Sequence, residues 1–268
     1  MVKHIRNVID LIEKEKEQLD VLPTLLPTLD KHLDGGFLRK ELVIIGAAPG
    51  VGKSIISSQL MYNIAKQGFK CAYFSLEISN EMIVSRMLGS ISNIKPTRIR
   101  LGLLTKEELD IKIKAKAELL RLHELLFYYD DLYSLNEIIK EIKAQEYDFV
   151  VVDFLQILEA NGTDENTRLS NSVRELQKLA KEKDCTVLAL SQLSNAIAKE
   201  GSKSKYIEYR GSGAIATVAD LGFFFERGDN FIDSKGNFIK LYLRKNRRGS
   251  SGVEFTLKFK IPGGLVYE

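Results

Sequence analysis

Cysteine is scarce: the 268 residues hold two. Cys71 and Cys185 lie far apart and neither belongs to a Cys-x-x-Cys pair, so the sequence offers no disulfide framework and no zinc ligand set. Both are expected to be small buried hydrophobes in a reducing compartment. No apolar run approaches the ~20 residues that a membrane-spanning helix needs, and the expectation is a protein with no membrane partner. Met1-Val2-Lys3-His4-Ile5-Arg6 lacks the continuous apolar core of a secretion signal, which points to the cytoplasm. There is no internal repeat, and no low-complexity tract beyond Glu13-Lys14-Glu15-Lys16-Glu17. A strong charge imbalance is missing too: the net charge is +3, and that balance by itself identifies no partner.

What is present suits an ordinary globular chain. Apolar residues make up 44% and charged residues 28%, and the length allows one large α/β domain with a full core. The basic residues are unevenly placed. Lys240, Arg244, Lys245, Arg247 and Arg248 fall within nine positions that contain no acid, and Lys199, Lys203, Lys205 and Arg210 form a looser second group. Each group is either a solvated face or a contact surface for an anion.

The most informative segment is Gly46-Ala47-Ala48-Pro49-Gly50-Val51-Gly52-Lys53-Ser54, which directly follows the apolar run Glu41-Leu42-Val43-Ile44-Ile45. A buried strand, a glycine-rich turn and a helix start are the context of a phosphate-binding loop. Turn N–H groups and the positive end of the helix converge on one anion. Ala48, Pro49, Gly50, Val51 and Gly52 would form the cradle. Lys53 would reach the β- and γ-phosphates, and the Ser54 hydroxyl would ligate Mg²⁺. The strict pattern G-x-x-x-x-G-K-[ST] asks for glycine at position 47, where this chain has Ala47. The expectation is a nucleoside triphosphate-binding protein.

Apolar runs predict strands at 41–46, 71–76, 125–129, 148–153 and 185–191. Helical periodicity falls between them at 53–67, 79–92, 105–121, 134–145 and 168–183. This alternation argues for a mostly parallel sheet flanked by helices. After residue 213 the pattern changes to strand-like runs at 221–225, 238–243 and 253–259, separated by turn residues at 233–237 and 249–252, which predicts C-terminal antiparallel hairpin strands. Ile5, Val8, Ile9 and Ile12 form the stripe of an amphipathic helix over 4–19, with Pro23 and Pro27 expected to end helical structure.

Three polar strand ends complete the candidate site. Asp153 closes Phe149-Val150-Val151-Val152, the form of a Walker B strand, which is expected to lie beside the phosphate-loop strand and to bring its carboxylate near Mg²⁺. Glu77 follows the strand ending at Leu76; it is either a base that polarises attacking water or a carboxylate at a helix N-terminus. Gln192 follows Val187-Leu188-Ala189-Leu190-Ser191 and is either a γ-phosphate sensor or a polar strand end.

With these segments in order, the chain resembles the C-terminal motor domain of DnaB-type replicative helicases. The resemblance rests on Leu29-Asp30 with Gly35-Gly36, the phosphate loop including Ala47, Phe74-Ser75-Leu76-Glu77, Val152-Asp153-Phe154-Leu155-Gln156 and Ala189-Leu190-Ser191-Gln192-Leu193-Ser194. Arg210-Gly211-Ser212-Gly213 with Ala219-Asp220, and Lys245-Asn246-Arg247-Arg248-Gly249, complete the set. It runs from about residue 22 to the end. It implies a RecA-like P-loop fold, ATP and Mg²⁺ as cofactors, and a homo-oligomeric ring, usually of six subunits, that translocates on single-stranded DNA in replication. It makes Glu77 the catalytic base, and Lys245 and Arg247 the residues reaching a neighbour's γ-phosphate, with Arg248 as a second candidate arginine. It assigns loop 194–213 to DNA, with Arg210, Gly211 and Gly213 at backbone-contacting positions; Gly211 stands where the family usually has Glu.

The resemblance also implies division into a linker-type helix, 1–22, and a motor, 23–268, without the N-terminal collar of the family. Such a minimal motor is bacterial, plasmid-borne or viral, in the last case working in the host cytoplasm, or else a fragment, with loader or primase proteins as possible partners. Two other classes compete with the helicase. One is a non-unwinding RecA-like ATPase such as a recombinase, clock-type or loader protein; the other is a nucleotide-binding module without DNA-stimulated turnover.

Overall fold

The structure, a computed structural model, describes residue 5 and residues 21–192, 217–233 and 236–267. The helix expected over 4–19 lies outside the described residues except for Ile5. Loop 194–213, with Arg210, Gly211 and Gly213, lies outside them as well.

Strands buried on both faces lose the polar alternation of a half-exposed sheet, and the central strands here show that continuous burial. They are β3 (Leu42–Ala47), β4 (Cys71–Ser75), β6 (Phe149–Asp153) and β7 (Thr186–Gln192). With β5 (Leu126–Tyr129), β8 (Leu221–Asp233), β9 (Gly236–Asn246), β10 (Val253–Lys260) and β11 (Leu265–Tyr267) they form one nine-stranded sheet. Its order is β11-β10-β9-β8-β3-β7-β6-β4-β5. The six strands from β8 to β5 are parallel, and β8 through β11 pair antiparallel. This is the mostly parallel sheet with C-terminal antiparallel strands expected from the pattern. One expectation is corrected: the strand ending in Asp153 is not beside the phosphate-loop strand. β7 separates β3 from β6, and Asp153 still reaches the loop because all these strands end at the same edge.

Successive side chains alternate between two cores. Val43, Ile45, Val151 and Leu188 point to one core, filled by Ile56, Leu60, Met61 and Ile64 of α2 (Lys53–Ala65). Leu42, Ile44, Val150 and Ala189 point to the other, filled by α6 (Leu135–Ala144) and α7 (Glu165–Lys183). Every residue of α2 from Ile56 to Ala65 is buried. A helix buried all round needs cover on both sides, and α3 (Asn80–Ser92) packs over it.

Three local signals shift element boundaries. Pro27 opens a helix instead of ending one: α1 (Pro27–His32) carries it in the first turn, where the missing N–H has no partner to lose. α7 begins at Glu165 and not at 168, because the Asp164 carboxylate accepts from Thr167 N at 3.0 Å and caps the first turn. A short helix unread in the sequence, α4 (Pro96–Leu101), has Pro at its start and Gly102 in the left-handed region at its end. α5 (Lys106–Leu120) carries a complete Thr105/Glu108 capping box.

The Leu29-Asp30…Gly35-Gly36 segment is a folding device. The Asp30 carboxylate accepts from Thr24 N at 2.9 Å, Thr24 Oγ1 at 2.6 Å and Leu25 N at 3.0 Å. This folds the chain back so that β1 (Val21–Leu22) pairs with β2 (Phe37–Leu38). Gly36 sits at φ +144°, and a Cβ there would lie 2.3 Å from the Leu22 carbonyl oxygen. Gly36→Ala is therefore expected to lose about 2 kcal/mol or more of stability. Gly68→Ala, where the added methyl meets nothing within 4 Å, is expected to lose less; paired thermal melts check the difference.

Candidate phosphate-binding site

Parallel strands deliver their following loops to one edge of the sheet, and three of those loops meet here. The phosphate loop leaves β3 and enters α2 through Gly52, the residue preceding the helix, at φ +116°; Gly50 is at φ +73°. Both conformations favour glycine. A cavity of about 310 Å³ opens above the loop, bounded by Pro49, Gly50, Gly52, Lys53 and Ser54 below and by Glu77, Asp153 and Gln192 from the neighbouring strand ends. The structure thus brings together most of the residues read from the motifs. Ala48 contributes its carbonyl, and Val51 packs toward the core.

The loop closes on its own lysine. Lys53 Nζ donates to Ala47 O at 3.1 Å and Ala48 O at 3.3 Å. Burial pushes its ammonium below the usual range, while Asp153 and then Glu77 pull it back up. A phosphate arriving in the cavity offers the charge partner that two carbonyls supply poorly.

Asp153 is 1% exposed. Burial raises its carboxyl above the ordinary range, against hydrogen bonds from Tyr73 and Ser54 and the charges of Lys53 and Arg86. A hydroxyl and one carboxylate are oxygen donors of the kind Mg²⁺ takes while keeping most of its waters. Among the described residues no group of three or more His, Cys, Asp or Glu is placed to hold a metal; the Ser54 hydroxyl beside the Asp153 carboxylate is a donor pair of the kind that a largely hydrated Mg²⁺ accepts.

Glu77 is exposed at the cavity's mouth, one residue past Leu76, whose N–H donates to Asp153 O at 2.8 Å. Gln192 is held through its backbone: its N–H donates to Gln156 Oε1 at 3.1 Å, and its carbonyl accepts from Gln156 Nε2 at 2.9 Å. Gln156 thus fixes the end of β7, a role its place in the Asp153 motif did not reveal.

Arg86 was also missed. It lines the cavity from α3, and its one hydrogen bond among the described residues goes to Met82 Sδ at 3.6 Å. In sequence it is a lone cation in an amphipathic helix, indistinguishable from a solvated one. Beside it a recess of about 290 Å³ shares Ile55 and Arg86 with the cavity and is walled by Pro96, Phe259, Pro262 and Gly263.

Lys245 and Arg247 are not in this cavity. They sit at the opposite edge of the sheet, where β8 begins. Asp220 N donates to Leu42 O at 2.9 Å, and Leu42 N to Asp220 Oδ2 at 2.9 Å, at the start of β3. Arg247 donates to Asp220 Oδ1 at 2.7 Å and to Thr217 O at 2.9 Å, and Lys245 Nζ donates to Thr217 O. With about 3.3 Å per strand residue, the length of β3 puts these cations roughly 16 Å or more from their own phosphate loop. Arg248 has a different environment: it pairs with Glu41 at 3.0 Å and donates to Leu33 O and Gly36 O. It is built into the N-terminal fold.

A family model described as DnaB-like helicase C-terminal domain matches residues 21–262. The replicative DNA helicase DnaB of Geobacillus stearothermophilus is 32% identical over 260 residues, covering 91% of this chain and 56% of that protein. A probable plasmid replicative DNA helicase of Chlamydia trachomatis is 29% identical over 246 residues, covering 89% of this chain and 53% of its own length. The chain spans about half the length of the curated relatives it matches. Among solved structures, an isolated ATPase domain superimposes with a TM-score of 0.88 at 23% identity, covering 100% of this chain and 99% of that one. A DnaB-like replicative helicase studied for its interactions with primase gives 0.85 at 23% identity, covering 100% of this chain and 67% of that one. The fold is the RecA-like ATPase fold.

The two adjacent arginines are expected to separate by stability. Arg248→Ala leaves Glu41, 8% exposed, without its cation and is expected to lose about 3 kcal/mol. Arg247 is itself 44% exposed, and its buried partner Asp220 keeps the bond from Leu42 N at 2.9 Å, so Arg247→Ala is expected to lose less, about 1 kcal/mol. Urea denaturation of the two variants measures both.

Proposed function

The chain belongs to the DnaB-like helicase C-terminal domain family, and on that premise we propose that it is an ATP-driven motor of replicative DNA unwinding, working as a ring of identical subunits on single-stranded DNA. The observation that carries the reading is the separation of the two basic elements. The phosphate loop and the Lys245–Arg247 cluster stand at opposite ends of one strand, too far apart to serve one nucleotide in one subunit. The separation supports a reading in which each site is completed by a neighbour, in a ring for which six subunits is the family expectation.

In this reading the triphosphate lies on the loop from Ala48 to Gly52, with Lys53 on its β- and γ-phosphates and the base in the recess beside Ile55 and Pro262. Ser54 and Asp153 hold Mg²⁺, which supplies charge neutralisation on the phosphate oxygens. Glu77 takes the proton of the attacking water, and Gln192 senses the γ-phosphate. Lys245 and Arg247 of the adjoining subunit neutralise the charge that develops on the transferred phosphoryl group, a contribution on the order of 10³-fold or more for an arginine acting in trans. Loss of that bridge on hydrolysis relaxes the interface and moves loop 194–213, where Arg210, Gly211 and Gly213 track the DNA backbone without reading bases.

The helix at 1–22 is proposed as a linker to a neighbouring subunit, ahead of a motor at 23–268. Primase or loader contacts are proposed by analogy with the primase-interacting relative. A non-unwinding ATPase is disfavoured, because the relatives matched over this chain are replicative helicases.

Two measurements test this. ATP turnover is expected to rise with single-stranded DNA, accompanied by strand separation on a forked duplex; stimulation without separation would favour the non-unwinding class. Lys53→Ala and Arg247→Ala subunits, each inactive alone, are expected to regain ATPase activity when mixed, since some interfaces then pair an intact loop with an intact arginine. No recovery at any mixing ratio contradicts action in trans.

A further inference from the structure

Tyr73 lies in the middle of β4 with no exposed surface, and its hydroxyl is held by two partners. Oη lies 2.7 Å from Asp153 Oδ2 and 3.0 Å from Ser57 Oγ. Ser57, in α2, is also fully buried. The register explains the reach. β4 and β6 pair Tyr73 with Val151 and Ser75 with Asp153, so Tyr73 and Asp153 point to the same face, two residues apart along the strands, a gap that a phenol ring spans. The ring is held by stacking on Tyr128, centroids 6.4 Å apart.

The direction of these bonds follows from donor counting. An ionised carboxylate only accepts, so Tyr73 donates to Asp153, and Ser57 is then the donor to Tyr73, sharing its one proton between the phenol oxygen at 3.0 Å and the Ser54 carbonyl at 3.3 Å. Three elements are tied by one hydroxyl: the helix that carries Lys53 and Ser54, the strand that leads to Glu77, and the strand that ends in the metal-binding carboxylate.

We propose that Tyr73 is a positioning residue for Mg²⁺: it occupies one oxygen of Asp153, fixes the carboxylate's rotation, and directs the remaining lone pairs toward the cation and its waters beside Ser54. The proposal rests on the assignment of Ser54 and Asp153 to Mg²⁺ made above. It gives this tyrosine a role beyond core packing, because phenylalanine would fill the same space without the hydroxyl. Hydrogen-bond partners of metal ligands commonly change metal affinity by 10–100-fold.

The test uses the full chain and a fluorescent ATP analogue, titrated with and without Mg²⁺. In Tyr73→Phe, the Mg²⁺ concentration giving half of the metal-dependent gain in affinity is expected to rise about 10-fold. Metal-free nucleotide affinity, set by the phosphate loop and Lys53, stays unchanged. A folded Tyr73→Phe protein with the wild-type Mg²⁺ curve overturns the proposal and leaves the tyrosine a packing residue. Should Tyr73→Phe not fold, Ser57→Ala decides: removing the donor to Tyr73 weakens its bond to Asp153, and a roughly threefold rise is expected on the same scale, an unchanged curve being contrary. Absence of any Mg²⁺-dependent gain in the wild-type chain would sink the metal assignment itself, a result distinct from failure of the tyrosine's role.

Discussion

Everything functional hangs on a strand that cannot shift. β3 is paired in parallel on both sides, with β7 and β8, and its residues from Leu42 to Ala47 are buried. A strand fixed by two ladders and two cores presents its ends at constant positions. One end releases the phosphate loop; the other receives Asp220, whose carboxylate accepts both the Leu42 N–H and the Arg247 guanidinium. The loop proposed to bind a subunit's own phosphate and the arginine proposed to serve a neighbour's are thereby registered to the same rigid element. In the proposed ring, moving one subunit against the next would change the geometry between sites without deforming either.

The electrostatics of the loop complement that rigidity. Lys53 is held below its ordinary range by burial and rests on two carbonyls, while Asp153 is held above its own range by burial. Neither charge is comfortable in isolation. Under the proposed function, a triphosphate with its cation would add an anion beside Lys53 and a cation beside Asp153, countering the desolvation that both groups already bear. The surrounding hydrogen bonds, from Tyr73 to Asp153 and from Gln156 to the end of β7, hold the acceptors in place before any ligand arrives.

Much of this was legible in the sequence because the relevant signals are local. Glycines at 50 and 52, the lysine and serine that follow, and an apolar run ending in Asp153 each report a strand end and its loop, and the alternation of runs indicated the sheet class. The order of strands was not legible. Nothing near Asp153 in sequence says that β7 inserts between β6 and β3, since that is set by packing of helices far along the chain. Pro27, read as a stop, turned out to start a helix, because proline at a first turn and after a last turn look alike without the neighbouring elements. Arg86 and Tyr73 were invisible for another reason. One is a single cation on an amphipathic helix and the other an aromatic in a buried strand, and their importance exists only through residues brought close by the fold. Arg247 and Arg248 are adjacent and chemically identical; only the partners Asp220 and Glu41 separate a presented arginine from a structural one.

The central claim is that a nucleotide is completed by two copies of this chain. Its most direct measurement pairs sedimentation velocity with ATP turnover on the same samples across a dilution series. Turnover per subunit is predicted to track the assembled fraction and to collapse as the assembly dissociates. Undiminished turnover per subunit in samples that sediment wholly as monomer would contradict it.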